Sequence, residues 1–222
     1  MAMELDLSDI ETQIVTKREE TFDLLGKPMR TWPVIYMTPP WGFSYRGPKG
    51  EKRNSKDAPT LGLPELATIP VPRLLSDDGM VFMWVPDGRL PLALELLAIW
   101  GVRYNGMAFL WAKTRDDTVV ESMHHEYDLP MSTGYITRGN PMPMIMGVRG
   151  EPSMRKHRIE GQLRPRHDIR KLQFAPRVER LQAHPKFRGL ISQLYDGPYL
   201  ELFGDGEEGW DHWRPGWSRT SD

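Results

Sequence analysis

The residues of this chain whose types and spacing suit chemistry are Thr38, Pro39, Pro40 and Trp41, directly after the apolar run Val34-Ile35-Tyr36-Met37. Each proline fixes its own φ angle and keeps the residue before it out of the helical region, so the backbone leaves a strand here in a stiff, extended turn. Neither proline has an N–H, so the turn has few donors of its own and its carbonyls are open to a ligand's hydrogens. An amino group on a flat ring fits such a corner. The Thr38 hydroxyl and the backbone carbonyls would accept from the amine, and Trp41 would offer a stacking face. The plain alternative is a loop opening after a strand, with Trp41 as a core aromatic.

Holding such a corner in place requires a sheet. Met80-Val81-Phe82-Met83-Trp84-Val85 is a continuous apolar run of strand length, as a strand covered on both faces requires. Met144 to Val148 reads the same way, Tyr199 to Phe203 reads as a strand ending before Gly204, and Val102 to Tyr104 and Phe109 to Ala112 read as two further strands. Leu90 to Trp100 predicts a helix with Leu92, Leu96 and Ile99 near one face, ended by Gly101 in a left-handed conformation. Pro185 to Tyr195 predicts another, with Phe187, Leu190, Ile191 and Leu194 on its apolar side. Pro64 opens a short helix through Leu66-Ala67, and Asp77-Asp78-Gly79 reads as a turn. This alternation implies an α/β fold, a mostly parallel sheet with helices on both faces. The 222 residues, 39% of them hydrophobic, are enough for one domain over 28–222, preceded by an N-terminal extension over 1–27. Ser8 and Glu11 are spaced as a capping box for a short helix in that extension. Trp210, Trp213 and Trp217 are expected to cap the sheet.

Charge is near balance, with a net of −1, but its distribution is uneven. Arg46, Lys49, Lys52, Arg53 and Lys56 follow the proline corner against only Glu51 and Asp57. Between Arg155 and Arg180, nine Lys or Arg, among them Arg164 and Arg166, face three acids. Either run alone is ordinarily a solvated loop. Two basic loops around one aromatic site, joined by Lys113, fit phosphate contacts on either side of a flipped or single-stranded base in DNA or RNA. The absence of cysteine excludes disulfides and thiolate metal sites. His124, His125, Glu126 and Asp128 lie close in sequence, but adjacent histidines point to different sides, so an exposed loop is expected there and no metal site. The acidic N-terminus without a long apolar run predicts neither a secretory signal nor a membrane span, and hence a cytoplasmic protein.

Taken in order, these parts resemble the MT-A family, adenine-N6 methyltransferases that include the catalytic and the non-catalytic subunit of the mRNA adenosine methyltransferase and many bacterial and phage DNA enzymes. The resemblance spans about Pro33 to Trp217. It rests on Thr38 to Trp41, on Met83-Trp84-Val85 before the helix ending Trp100-Gly101, and on Trp111-Ala112-Lys113-Thr114. It continues through Gly134-Tyr135, Gly147-Val148-Arg149-Gly150, Leu200-Glu201-Leu202-Phe203 and Gly209-Trp210-Asp211. It implies a Rossmann-like class I methyltransferase fold with the catalytic motif N-terminal to the cofactor motif, binding S-adenosylmethionine at the carboxyl ends of the strands. Thr38, Pro39 and Pro40 would hold the amine, Trp41 would stack on the base, and Glu201, Leu202 and Phe203 would line the cofactor.

The departures from the family fall on the chemistry. Thr38 stands where the family has Asp, His184 where it has Lys, Asp205 where it has Arg, and Arg214-Pro215 near its Asn. Three functions are compatible: adenine-N6 methylation of DNA with Thr38 in the role of Asp, cytosine-N4 methylation, for which a hydroxyl residue before Pro-Pro is a familiar pattern, and a non-catalytic nucleic-acid-binding subunit. The last would pair with an active chain of the same fold, and a homo- or heterodimer is open in each case.

Overall fold

The computed structural model describes residues 30–42, 60–115, 129–130, 139–178 and 184–214, and the backbone alone at 45–46 and 52–53. The N-terminal extension, the His124 to Asp128 cluster, Gly134-Tyr135, Arg180 and Trp217 lie outside the described residues.

The centre of the molecule is β1, Trp32–Met37, in which Val34, Ile35, Tyr36 and Met37 are all fully buried. It pairs in parallel with β10, Tyr199–Leu202, on one side and with β4, Leu75–Trp84, on the other. Beyond β10 lies β11, Trp210–Trp213, and beyond β4 lie β6, Met142–Arg149, β5, Arg103–Thr114, and the edge strand β9, Leu172–Pro176. In the order β11-β10-β1-β4-β6-β5-β9, only β6 runs against the rest, so the sheet is mixed but mostly parallel.

Alternation along the strands divides the core into two layers. Ile35, Met37, Val81, Met83 and Leu202 face one layer, closed by α1, Leu63–Ala67, α2, Val71–Leu74, and α3, Leu90–Ile99. Val34, Tyr36, Met80, Phe82 and Trp84 face the other, closed by α4, Pro185–Leu194, through Phe187 and Ile191. Helices therefore cover both faces. Pro64 sits in the first turn of α1, and Gly101 ends α3 at φ +67°, both as the sequence implies.

Several local expectations are corrected. The two strands read at 102–104 and 109–112 are one strand, β5, whose pairing with β6 slips between Tyr104 and Met107 and again between Met107 and Phe109; Gly106, at φ +110°, lies in the first slip. The buried stripe of α3 is Ala93, Leu96, Leu97 and Trp100, and Ile99 is 51% exposed, because position 99 lies roughly 110° around the helix from the centre of that stripe. Asp77-Asp78-Gly79 lies inside β4, at an irregular start where β1 jumps register from Leu75 to Met80. Trp210 and Trp213 form the strand β11; Trp210 stacks on Tyr199 with ring centroids 4.5 Å apart. The basic stretch after Arg155 holds a hairpin, β7, Lys156–Ile159, and β8, Gln162–Pro165, before β9. A shorter antiparallel pair, β2, Tyr45–Arg46, and β3, Lys52–Arg53, lies in the region read as loop after the proline corner.

Inside the α4-side layer the Trp84 indole donates to the Tyr36 hydroxyl at 2.7 Å, both groups buried, and burial holds the phenol pKa far above its usual value. Tyr36→Phe should therefore lower the unfolding free energy by roughly 1–3 kcal/mol, the cost of an unpaired buried donor, with an unchanged m value in urea titration.

Candidate functional site

β1, β4, β10 and β11 all end at the same edge of the sheet, and that edge gathers Thr38, Pro86, Asp87, Phe203, Asp205 and Arg214. Thr38 leaves β1 with its backbone N–H donating to the Leu202 carbonyl at 3.2 Å, which ties the corner to the end of β10. The chain then folds tightly. Trp41 N–H donates to Pro39 O at 2.8 Å, Leu61 N–H to Pro40 O at 2.9 Å, and Gly42 N–H to Leu61 O at 3.2 Å. Both proline carbonyls thus already accept one hydrogen bond from the chain, and only their remaining lone pairs are open to a ligand.

Trp41 is 4% exposed, and its indole donates to the Trp84 carbonyl at 2.9 Å. Its ring belongs to the core layer under α1 and α3 and offers no free stacking face in this arrangement. Thr38 is different. It is 7% exposed, and its Oγ1 has no hydrogen-bond partner among the described residues. The indole N–H of Trp213, at the end of β11, is a second group at this edge without a partner among the described residues. Buried polar groups without partners are uncommon because each forfeits its hydration, so two at one edge mark where an outside polar ligand would be satisfied.

The residues proposed around a cofactor divide. Leu202 is buried in the sheet core, and Phe203 sits at φ +69° with its ring edge against Trp213. Glu201 is fully buried and held by the Arg188 guanidinium, with Nε and Nη2 each 3.1 Å from a carboxylate oxygen, and by the Gly206 N–H at 2.8 Å. Burial pushes its carboxyl pKa up, opposed by Arg188. No surface of Glu201 is left for a ligand. His184 caps α4, its Nδ1 accepting from Lys186 N–H at 3.2 Å, and its ring stands edge-on to Trp111, centroids 5.6 Å apart. Asp205 and Arg214, two of the departures from the family pattern, form an ion pair with each other across the ends of β10 and β11.

Lys113 is near the carboxyl end of β5, next to the opening of α4. Its pKa is lowered by burial and by the like charge of Arg177, against the pull of Asp87, and its ammonium lies 5.2 Å from the Trp111 ring centroid. Asn140 holds its backbone from both sides, accepting from Lys113 N–H and donating to Lys113 O, each at 2.9 Å. Sequence reading missed Asn140 and Arg188, since neither lies in a recognisable pattern.

Arg164 and Arg166 do not join this edge. The hairpin that carries Arg164, and the segment after it, are anchored to the last turn of α4: Arg155 N–H donates to Leu194 O at 2.7 Å, and Arg166 Nη1 to Gln193 Oε1 at 2.7 Å. α4 separates that end from His184 by about 15 Å. Both arginines are also paired, Arg164 with Glu160 at 2.8 Å and Arg166 with Asp168 through two hydrogen bonds. The Arg166 guanidinium holds the Asp168 carboxyl down to about 2. The side chains of Arg46, Lys52 and Arg53, and the whole of Lys49, lie outside the described residues. Among the described residues no His, Cys, Asp and Glu group has metal-site geometry, and no helix is long and apolar enough to cross a membrane.

The MT-A70 family model matches residues 32–219. Type II methyltransferase M.MunI from a Mycoplasma species is 31% identical over 115 residues, covering 45% of this chain and 48% of that protein. An N(6)-adenosine-methyltransferase MT-A70-like protein of Arabidopsis thaliana is 25% identical over 141 residues, 63% of this chain and 17% of its own length. The N(6)-adenosine-methyltransferase subunit METTL3 of Danio rerio is 27% identical over 131 residues, 58% of this chain and 18% of its own length. The matched segment thus spans about half of the bacterial relative and under a fifth of the plant and fish ones.

The orphan hydroxyl yields a stability prediction. Thr38→Val keeps the shape and removes a group that bonds to nothing in the described structure, so its melting temperature should equal or exceed that of the wild type, by up to about 1 kcal/mol in unfolding free energy. A clear loss of stability would show that the hydroxyl is already satisfied.

Proposed function

This chain belongs to the MT-A70 family, and from that premise we propose that it is an S-adenosylmethionine-dependent methyltransferase acting on adenine N6 in DNA, with a Rossmann-like domain over 28–222. The observation that carries the reading is Thr38 Oγ1, a buried hydroxyl without a partner among the described residues, at the end of the central strand and beside the end of β10.

S-adenosylmethionine, when bound, supplies an electrophilic sulfonium methyl group. The rest of the task belongs to the chain's own residues. Thr38 Oγ1 and the free lone pairs of the Pro39 and Pro40 carbonyls accept hydrogens from the base's exocyclic amine, which orients its nitrogen lone pair in a site walled by buried side chains. A neutral hydroxyl gives less electrostatic compensation to a developing ammonium than a carboxylate would, so a slow methyl transfer is expected of Thr38. Trp213 Nε1, Phe203, the Asp205–Arg214 pair and His184 are the groups this edge offers to a cofactor. Lys113 is a cation placed to meet a phosphate there, and the wider nucleic-acid contact set includes Arg46, Lys49, Lys52 and Arg53.

One further reading is favoured by a specific observation. Trp41 is tied into the core rather than presented to a base, which suits a non-catalytic nucleic-acid-binding subunit that keeps the fold and pairs with an active chain.

Calorimetry with S-adenosylmethionine and S-adenosylhomocysteine, followed by transfer of labelled methyl to adenine-containing duplex, separates the two. Saturable one-to-one binding with transfer that falls roughly tenfold or more in Thr38→Val supports the enzyme, since one transition-state hydrogen bond is worth at least that much. No binding at millimolar cofactor supports the binding subunit. For the nucleic-acid contacts, Lys113→Ala should reduce the slope of log K against log salt by about 0.9, the value of one phosphate contact on duplex DNA. Arg164→Ala should leave the slope nearly unchanged, because Glu160 already neutralises that charge.

A further inference from the structure

The connection from β10 to β11 is unusually short for parallel neighbours. Seven residues, 203–209, return the chain from the end of one strand to the start of the next, where crossovers of a dozen or more are usual. The return is tight enough to need left-handed backbone at Phe203, Gly206 and Gly209, with φ of +69°, +69° and +82°. Phe203 packs into the apolar core against Trp213, and the residues after it are held by charge. Glu201 Oε2 accepts from Gly206 N–H at 2.8 Å, and Arg188 Nη1 donates to Glu207 Oε2 at 3.1 Å. Arg188, 4% exposed, grips Glu201 through two further hydrogen bonds and so links α4, β10 and the return segment. No side chain fits at Gly204, where a Cβ would come within 2.1 Å of the Glu201 carboxylate.

We infer that Arg188 is a positioning residue for the cofactor edge: by holding Glu201 and Glu207 it fixes the 203–209 segment, and with it Phe203 and the Asp205–Arg214 pair. The inference rests on the methyltransferase reading for its link to cofactor binding and on the hydrogen bonds alone for its link to the segment. Two charges taken out of water are an expensive way to stabilise a core, and an apolar pair of similar volume would generally do as well. What the guanidinium supplies instead is direction: three donors aimed at two carboxylates at fixed angles, a geometry that packing alone does not impose. The bonds of Arg188 go to Glu201 and Glu207. It acts through the segment.

The test compares Arg188→Met and Arg188→Lys with Ile191→Val, a neighbouring α4 core change, by calorimetry with S-adenosylmethionine, by thermal melting, and by hydrogen exchange over residues 203–209. Arg188→Met is expected to weaken cofactor binding roughly ten- to hundredfold, as sub-ångström to ångström misplacement of a site does, and to speed exchange in 203–209. Arg188→Lys should recover part of both, and Ile191→Val should keep the wild-type dissociation constant and the wild-type exchange whatever its melting temperature. If Arg188→Met fails to fold because Glu201 is left buried and alone, the double variant Arg188→Met/Glu201→Gln carries the same comparison. Cofactor affinity and segment exchange equal to those of Ile191→Val would overturn the inference. A wild-type protein that binds no cofactor, but whose 203–209 segment loosens in Arg188→Met, would uphold the pin on the segment and remove the methyltransferase reading.

Discussion

The indole N–H of Trp41 on the Trp84 carbonyl is the interaction on which the candidate site depends. β1 is followed by two prolines, which lack the N–H that a central strand needs for its ladder, and the chain must leave the sheet there. The Trp41 bond decides where it goes: down over the end of β4, with the ring sealed into the core and the Pro40 carbonyl accepting from Leu61 N–H. Once the indole is committed, the corner has one polar side-chain group left over, the Thr38 hydroxyl. The same bond that stabilises the corner therefore removes an aromatic surface from it and leaves one small side-chain acceptor beside the proline carbonyls.

Charge is arranged around that corner at two ends of the molecule. At the carboxyl edge, Lys113, Arg177 and Asp87 interact, and Asp205 meets Arg214. At the far end, the hairpin β7–β8 and the segment after it carry most of the basic stretch, where Glu160 and Asp168 offset Arg164 and Arg166. Between them lies the buried Glu201–Arg188 pair, charge used for direction inside the fold. A count of basic residues along the chain adds these groups together, although only those at the carboxyl edge share a location with Thr38.

Much of the fold was legible because its signals are local. Uninterrupted apolar runs at Met80 to Val85 and Met144 to Val148 require strands covered on both faces, and Pro64 and Gly101 mark helix boundaries through their own backbone limits. The MT-A resemblance was legible for the same reason, since its motifs are short and ordered, and the family match confirms it. What escaped were features set by partners distant in sequence. Arg188 carries no signal in its own stretch of sequence; its role comes from Glu201, 13 residues on, which the fold places beside it. Asp205 and Arg214 read as two separate departures from a pattern until β10 and β11 are laid side by side.

The sequence by itself determined the buried strands at the centre of the sheet, the two long helices, and that the central strand must stop at Thr38, because these follow from side-chain apolarity and from the fixed dihedral of proline. Tertiary structure alone decided which polar groups remain available at that stop. A tryptophan can stack on a ligand or fill a core, and an arginine can meet a phosphate or a carboxylate. In each case the competing partner lies far along the chain, so the choice is made by packing geometry, which brought Trp84 to Trp41 and Glu201 to Arg188 and left Thr38 Oγ1 without a partner among the described residues.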